Sequence, residues 1–219
     1  MSRRKYAVLG LGEFGRAVAL ELSQLGREVL AIDINPKRVE EVQEHVALAA
    51  VADVREREAL QELMETPFDV AVVATGGNFE AAILATLHLR AMGVTELVAE
   101  ASSEERADVL LRVGATRIVS PELDMGKRLA RRLGRKNLVE FIPLSPGYAV
   151  VEIEAPESLI GKTLAEADVR RKYHVAVIAL RSRDGTDTLI PGGATPISPG
   201  DRLTLAGGEE AIERFSNLT

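Results

Sequence analysis

Residues 8–15 read Val8-Leu-Gly-Leu-Gly-Glu-Phe-Gly15, and the chain then runs through an amphipathic stretch to Glu28-Val-Leu-Ala-Ile-Asp33. The order is strand, glycine loop, helix, strand, acid. An apolar run, Tyr6–Leu9, feeds directly into Gly10-x-Gly12-x-x-Gly15. Gly10 permits the tight turn, Gly12 lets a pyrophosphate approach the backbone because it has no Cβ, and Gly15 lets the helix pack close to the strand. Glu13 and Phe14 fill the two positions between the second and third glycines and are counted with the loop. The helix that follows presents free N–H groups and its positive dipole end to phosphates. Asp33 lies 18 residues after Gly15, where an acid accepts hydrogen bonds from ribose hydroxyls. A glycine triplet alone is weak evidence. In this context it predicts a nucleotide-binding Rossmann unit.

The rest of the chain bounds the answer. Its 219 residues allow one large domain or two smaller ones. A net charge of −6 argues against broad attraction to nucleic acid or to an anionic membrane. Without cysteine there is no disulfide and no thiolate metal site. No apolar stretch approaches the roughly 18 residues of a membrane span, and no secretory h-region is read, so the expected location is cytoplasmic.

Strand and helix signals alternate through residue 120, as a doubly wound parallel sheet requires. Strands are expected at Tyr6–Leu9, Val29–Ile32, Leu48–Val51, Val70–Ala74, Leu97–Ala99 and Arg117–Val119. Helices are expected at Phe14–Leu25, Lys37–His45, Arg57–Met64, Asn78–Met92 and Ser103–Val113. Gly26, Gly93 and Gly114 follow helix ends, and Asn35, Asn78 and either Ser102 or Ser103 stand where N-caps belong. A further helix, Glu122 to Leu133, is basic on one half, with Lys127, Arg128, Arg131, Arg132, Arg135 and Lys136. The other half carries Met125, Leu129 and Leu133. It reads as a solvated face opposite a packing stripe, as a dimer contact, or as an anion-binding face. Residues 1–136 are therefore assigned to the Rossmann domain and its interface helix. The Pro- and Gly-rich segment 137–147 is expected to be a linker, and 148–219 a small α+β domain. In the latter, strands are expected at Val150–Ile153, Ala176–Leu180, Thr188–Ile190 and Arg202–Leu205, and helices at Thr163–Arg171 and Glu209–Phe215.

Two more loops belong to the expected site. Asp53, with its neighbour Val54, follows the third strand, where an acid can face the adenine side of the cleft or cap the next helix. Thr75-Gly-Gly-Asn78 follows the fourth strand beside the point where strand order reverses; Thr75, Gly76 and Asn78 are assigned to the cleft. Catalytic groups are few. His45, His88 and His174 have no neighbouring motif that makes a general base or a metal ligand, and no phosphate-loop Gly-Lys or nucleophile elbow is present. A nucleotide here is expected to be sensed rather than consumed. The alternative is an NAD-dependent oxidoreductase, which would need a larger substrate domain.

Four stretches resemble the cytosolic regulatory subunits of Ktr/Trk potassium uptake systems, which join an RCK N-terminal to an RCK C-terminal domain. They are Val8–Gly15, Glu28–Asn35, Gly114-Ala-Thr-Arg-Ile-Val-Ser-Pro-Glu-Leu-Asp-Met-Gly126 and Ile190-Pro-Gly-Gly-Ala-Thr-Pro-Ile-Ser-Pro-Gly-Asp-Arg-Leu203. The last two matter most, because ordinary dehydrogenases lack them. The single-module length is closer to the Ktr type. The resemblance implies a dimer that assembles into a ring, commonly an octamer, peripheral to the inner membrane face under a potassium-translocating membrane subunit. It implies that adenine nucleotide, ATP/ADP or NAD(H), biases the ring between shapes that open or close the pore. Gly10, Gly12 and Gly15 would line the phosphates, Asp33 the ribose and Asp53 the adenine, and Glu122 would help hold a divalent cation, Mg²⁺ or Ca²⁺, at the dimer interface. Glu13 departs from the family, which often carries Arg there to meet the terminal phosphate of ATP. Some family members bind cyclic di-AMP at the C-terminal domain. The matching region is Asp168-Val-Arg170 with Ile178 and Ile190-Pro191, although an acid at 168 is unfavourable beside a phosphodiester. A nucleic-acid partner is not expected.

Overall fold

A computed structural model describes residues 4–66, 68–134, 137–185 and 188–218. The chain divides into two compact units, and the division falls between Asp124 and Met125.

The first unit is built on a six-stranded parallel sheet: β1 (Lys5–Leu9), β2 (Glu28–Asp33), β3 (Leu48–Val51), β4 (Val70–Val73), β5 (Glu96–Glu100) and β6 (Arg117–Val119). Its order is β3-β2-β1-β4-β5-β6, the doubly wound arrangement, with the reversal between β1 and β4. Helices α1 (Glu13–Gln24) and α2 (Pro36–Glu40), together with α3 (Arg57–Leu63), α4 (Phe79–Ala91) and α5 (Glu104–Val113), form the crossovers. The central strands β1, β2 and β4 are buried on both faces because side chains alternate between two cores. Leu9, Leu30, Ile32, Val73 and Leu97 enter one core. Val8, Val29, Ala31 and Val72 enter the other. The N-caps fall as expected: Asn35, Asn78 and Ser103 accept from the backbone N–H groups of Lys37, Ala81 and Arg106. Helix α2 ends five residues earlier than expected, at Glu40, and continues as tight turns in which the N–H groups of Val42 and His45 reach only three residues back. Glu40, Glu41 and Glu44 explain this, since acids oppose the negative dipole at a helix C-terminus.

Helix α6 (Pro121–Leu133) spans the division point and buries none of its described side chains. Arg135 and Lys136, assigned to its basic face, lie outside the described residues.

The second unit is an antiparallel sheet. It contains β7 (Leu138–Ser145), β8 (Tyr148–Glu154), β9 (Val175–Arg181), β10 (Thr188–Leu189) and β11 (Arg202–Gly208), ordered β10-β9-β11-β8-β7. Segment 137–147 is thus not a linker. Most of it is β7, an eight-residue strand paired with β8. Pro143, which argued against a strand, is tolerated because β7 is an edge and the register is irregular between Pro143 and Ser145. Ala149, Val151, Ile153, Leu203 and Leu205 face inward against α9 (Glu209–Ser216), whose Phe215 meets Tyr173 edge-to-face at 5.1 Å. The single helix expected at Thr163–Arg171 is two: α7 (Leu164–Ala167) and α8 (Val169–Tyr173). They part at Asp168, which adopts the left-handed conformation (φ 47°) that aspartate tolerates better than most residues. Among the described residues no helix is long and apolar enough to cross a membrane.

Candidate functional site

Four strand-to-helix turns, those after β1, β2, β3 and β4, converge beside the point where the strand order reverses. The turn after β1 is held by backbone bonds from Gly10 N–H to the Ile32 carbonyl (2.7 Å) and from Ala74 N–H to the Leu9 carbonyl (2.7 Å). Space around the loop is so limited that glycine is required. A Cβ on Gly15 would sit 1.9 Å from the Gly10 carbonyl oxygen, and one on Gly10, at φ +93°, would sit 2.2 Å from that of Ala74. A Cβ on Gly12 would meet nothing within 4 Å. Packing thus does not require glycine at position 12, which lines the open mouth of a cleft.

The cleft encloses about 330 Å³. Of the residues assigned from sequence, Gly10, Gly12, Asp33, Asp53, Val54, Thr75, Gly76 and Asn78 line it. Gly15 lies behind the wall and fixes the approach of α1. Phe14 is half-buried, packs against the core cluster that contains Val8 and Val29, and does not line the cleft. Glu13 is almost fully exposed and pairs with Arg16, Oε2 to Nη2, at 2.9 Å. Arg16 also approaches Glu41 at 3.7 Å.

Asp33, only 4% exposed, ties the glycine loop to the end of β2. Its Oδ2 accepts the Leu11 N–H at 2.6 Å and its Oδ1 the Asn35 N–H at 2.8 Å, while the Arg38 Nη1 stands 3.5 Å from Oδ2. Asp53 is held just as firmly. Its Oδ1 accepts from the backbone N–H and the Nε of Arg55, both at 3.0 Å, and its Oδ2 accepts from Nη2 at 2.6 Å. The hydrogen bonds from the Arg55 guanidinium draw the Asp53 carboxyl below its ordinary value. Sequence reasoning missed Arg38 and Arg55, which also line the cleft. Each follows its acid within five residues, and that Asp…Arg spacing was the only available signal.

Glu122 does not line the cleft. It opens α6, and its charge reaches Glu100 at the end of β5. Burial pushes the Glu100 carboxyl up, the Glu122 charge adds to this, and the Gly76 N–H donated to Glu100 works against it. Glu100 is therefore linked to the loop after β4 by the Gly76 N–H and feels the charge of Glu122 only as repulsion. Among the described residues no group of three or more acids and histidines is arranged to hold a metal ion. A cation beside Glu122 would need further ligands from elsewhere, and hard oxygen donors of this kind suit Mg²⁺ or Ca²⁺.

In the second unit a cavity of about 360 Å³ is lined by Val169, Arg170 and Pro191 among others. Asp168, Ile178 and Ile190 from the same expected set do not line it. Asp168 pairs with Arg171 at 3.4 Å, and Ile190 is 95% exposed.

A nucleotide-type cleft at the switch point of a parallel sheet, followed in the same chain by a small antiparallel unit, defines a two-module protein of the Rossmann class. The chain belongs to the TrkA family: residues 6–121 match the TrkA-N domain and residues 148–219 the TrkA-C domain. It is similar over nearly its whole length to Ktr system potassium uptake protein A of Bacillus subtilis (strain 168), at 34% identity over 217 residues, covering 99% of this chain and 97% of that one. It is 36% identical over 209 residues to Ktr system potassium uptake protein A of Vibrio alginolyticus, covering 95% and 94% respectively. Among solved structures, the GsuK RCK domain shares the fold at a TM-score of 0.51 and 24% identity, over 98% of this chain but only 46% of that one. A structure of GsuK bound to ADP matches 60% of this chain and 33% of that one, at 26% identity and a TM-score of 0.50.

Proposed function

We propose that this chain is a nucleotide-sensing regulatory subunit of a potassium uptake system. The observation that carries the reading is the cleft itself, open beyond Gly12 and lined by Asp33 and Asp53, in a chain that aligns end to end with Ktr uptake proteins. The ligand is an adenine nucleotide, ADP, ATP or NAD(H). Phosphates sit over Gly10 and Gly12 at the start of α1, ribose beside Asp33, and the base end toward Asp53 and Val54. GsuK, which shares the fold, has been seen with ADP. The nucleotide acts by population shift: it must bind one arrangement of the assembled subunits better than another, or nothing moves. The chain performs no chemistry on it. It is cytoplasmic and reaches the membrane through a potassium-translocating subunit. It assembles as a dimer through α6 and as a ring, an octamer by family analogy. Glu122 would share a divalent cation with the phosphates of ATP, offsetting the repulsion between its own charge, Glu13 and the triphosphate. The cavity beside Arg170 and Pro191 is the place to test cyclic di-AMP.

Two experiments test this reading. Native mass spectrometry of the purified chain should show a large homo-oligomer carrying adenine nucleotide, with no reductase activity toward hydroxy-acid or aldehyde substrates. A monomer that oxidises a substrate with NAD would establish the oxidoreductase instead. Calorimetric titration of ATP and ADP with and without EDTA should show that chelation weakens ATP more than ADP, and that Glu122→Gln removes the difference. An unchanged ATP/ADP ratio would reduce Glu122 to a first-turn acid favoured by the helix dipole.

A further inference from the structure

Two residues of the cleft, Arg38 and Arg55, have no task in the reading above. Arg38 lies on α2 and Arg55 in the turn after β3. Those turns are neighbours because β2 and β3 pair in register, Asp33 beside Val51. Each guanidinium is tethered by an acid of the cleft: Arg38 loosely to Asp33 at 3.5 Å, and Arg55 as a fork on both oxygens of Asp53. The backbone carbonyl of Arg55 also lies 3.0 Å from the His88 Nε2, which pins the turn to α4. Together the backbone N–H, Nε–H and Nη2–H of Arg55 donate to the two Asp53 oxygens, with Nε–H shared between both, and so occupy three of the roughly four acceptor sites of a carboxylate. While Arg55 stays in place, most of the acceptor capacity of Asp53 is turned toward Arg55 rather than toward the amino group of a base. The other side chains at this end, Ile34, Ala52 and Val54, are apolar and read no hydrogen-bond pattern. What this end of the cleft offers is guanidinium surface, planar, delocalised and weakly hydrated, which stacks well on nucleobases.

We infer that the cleft selects its base by stacking against Arg38 and Arg55, and that Asp53 is a positioning residue that holds the Arg55 plane rather than a direct reader of the adenine edge. A purine, with its larger face, is thereby preferred over a pyrimidine. This rests on the nucleotide reading above and refines its base end.

The test is calorimetric titration of the full chain with ADP and UDP. The wild-type chain should bind ADP at least ten-fold more tightly than UDP. Arg38→Lys and Arg55→Lys keep the charge but lose the plane. Both sites are half-exposed, and melting curves check that the variants fold. Each should weaken ADP about five-fold, the scale of a stacking or cation–π contact at a partly exposed site, with less than a two-fold change for UDP. Asp53→Asn should weaken ADP in the wild-type background and have no further effect in Arg55→Lys. ADP binding that survives both lysine variants unchanged would overturn the stacking role and leave the nucleotide site standing, as would equal losses for ADP and UDP, which would mark the arginines as phosphate contacts. Failure of the wild-type chain to bind ADP at all would overturn both.

Discussion

At the scale of single residues, the glycine loop separates folding from binding. Gly15→Ala forces a Cβ to within 1.9 Å of a backbone oxygen, and we expect a loss of about 1–3 kcal/mol or more in stability from overpacking. Gly12→Ala meets no atom and costs about 1 kcal/mol or less as an N-cap change, yet its methyl enters the space where phosphates would lie. We expect near-normal melting for Gly12→Ala together with at least a ten-fold loss of ADP affinity by calorimetry; normal ADP binding would place the phosphates elsewhere. Asp33 is expected to combine both tasks. Asp33→Ala should lose about 1.5–3 kcal/mol of nucleotide affinity, the range for hydrogen bonds to a charged group. It should also lower the melting temperature, because the buried Leu11 N–H is left without its acceptor. An ionised Asp33 also repels a 2′-phosphate, so NAD should bind and NADP should not. Equal affinities for the two would refute the ribose assignment.

At the scale of elements, the ends of the parallel strands carry the electrostatics. Glu100 closes β5 with its carboxyl held above the ordinary 4.5, chiefly by burial and further by Glu122. The folded state therefore binds this proton more tightly than the unfolded chain does. Glu100 therefore adds no cost below the ordinary value, and its cost grows as pH rises from there to the raised value, above which it is full. Glu100→Gln keeps an oxygen to accept the Gly76 N–H, so we expect it to raise the melting temperature at pH 7, with the gain shrinking as pH is lowered toward 4.5. A gain that is independent of pH would assign the effect to packing. Asp53, Glu140 and Glu166 act in the opposite sense. The Arg55 guanidinium, the Phe141 N–H and the Thr163 N–H respectively hold them below their ordinary values, so their stabilisation is full above those values and lost as acid is added.

At the scale of the whole molecule, α6 is the element that the single chain leaves unsatisfied. Leu123, Met125, Leu129 and Leu133 are 44–77% exposed, and three of them recur every four residues on one face. Met125→Asp with Leu129→Asp should lower the mass seen in light scattering while leaving melting of the Rossmann unit almost unchanged; an unaltered mass would place the subunit contact elsewhere. The alternation of strands with capped helices, the glycine loop and Asp33 were legible along the chain, because each is a local consequence of side-chain periodicity and turn chemistry. Segment 137–147 was misread because whether proline is compatible with a strand depends on that strand lying at a sheet edge, which only the β7–β8 pairing decides. The break at Asp168 was hidden for a related reason, since the sequence around it reads as one helix and a single left-handed residue divides it. Arg38 and Arg55 were passed over because only their spacing from Asp33 and Asp53 is local, while their sharing of one cleft depends on β2 and β3 lying side by side. By itself the sequence determined the local patterns: strand, glycine turn, helix and acid, and with them the nucleotide class of the fold. The tertiary structure alone decided which distant groups meet, the Asp33 carboxylate with the Leu11 N–H in the cleft and the Glu100 carboxyl with the charge of Glu122, because those encounters are set by strand order and register, which no local stretch of the chain encodes.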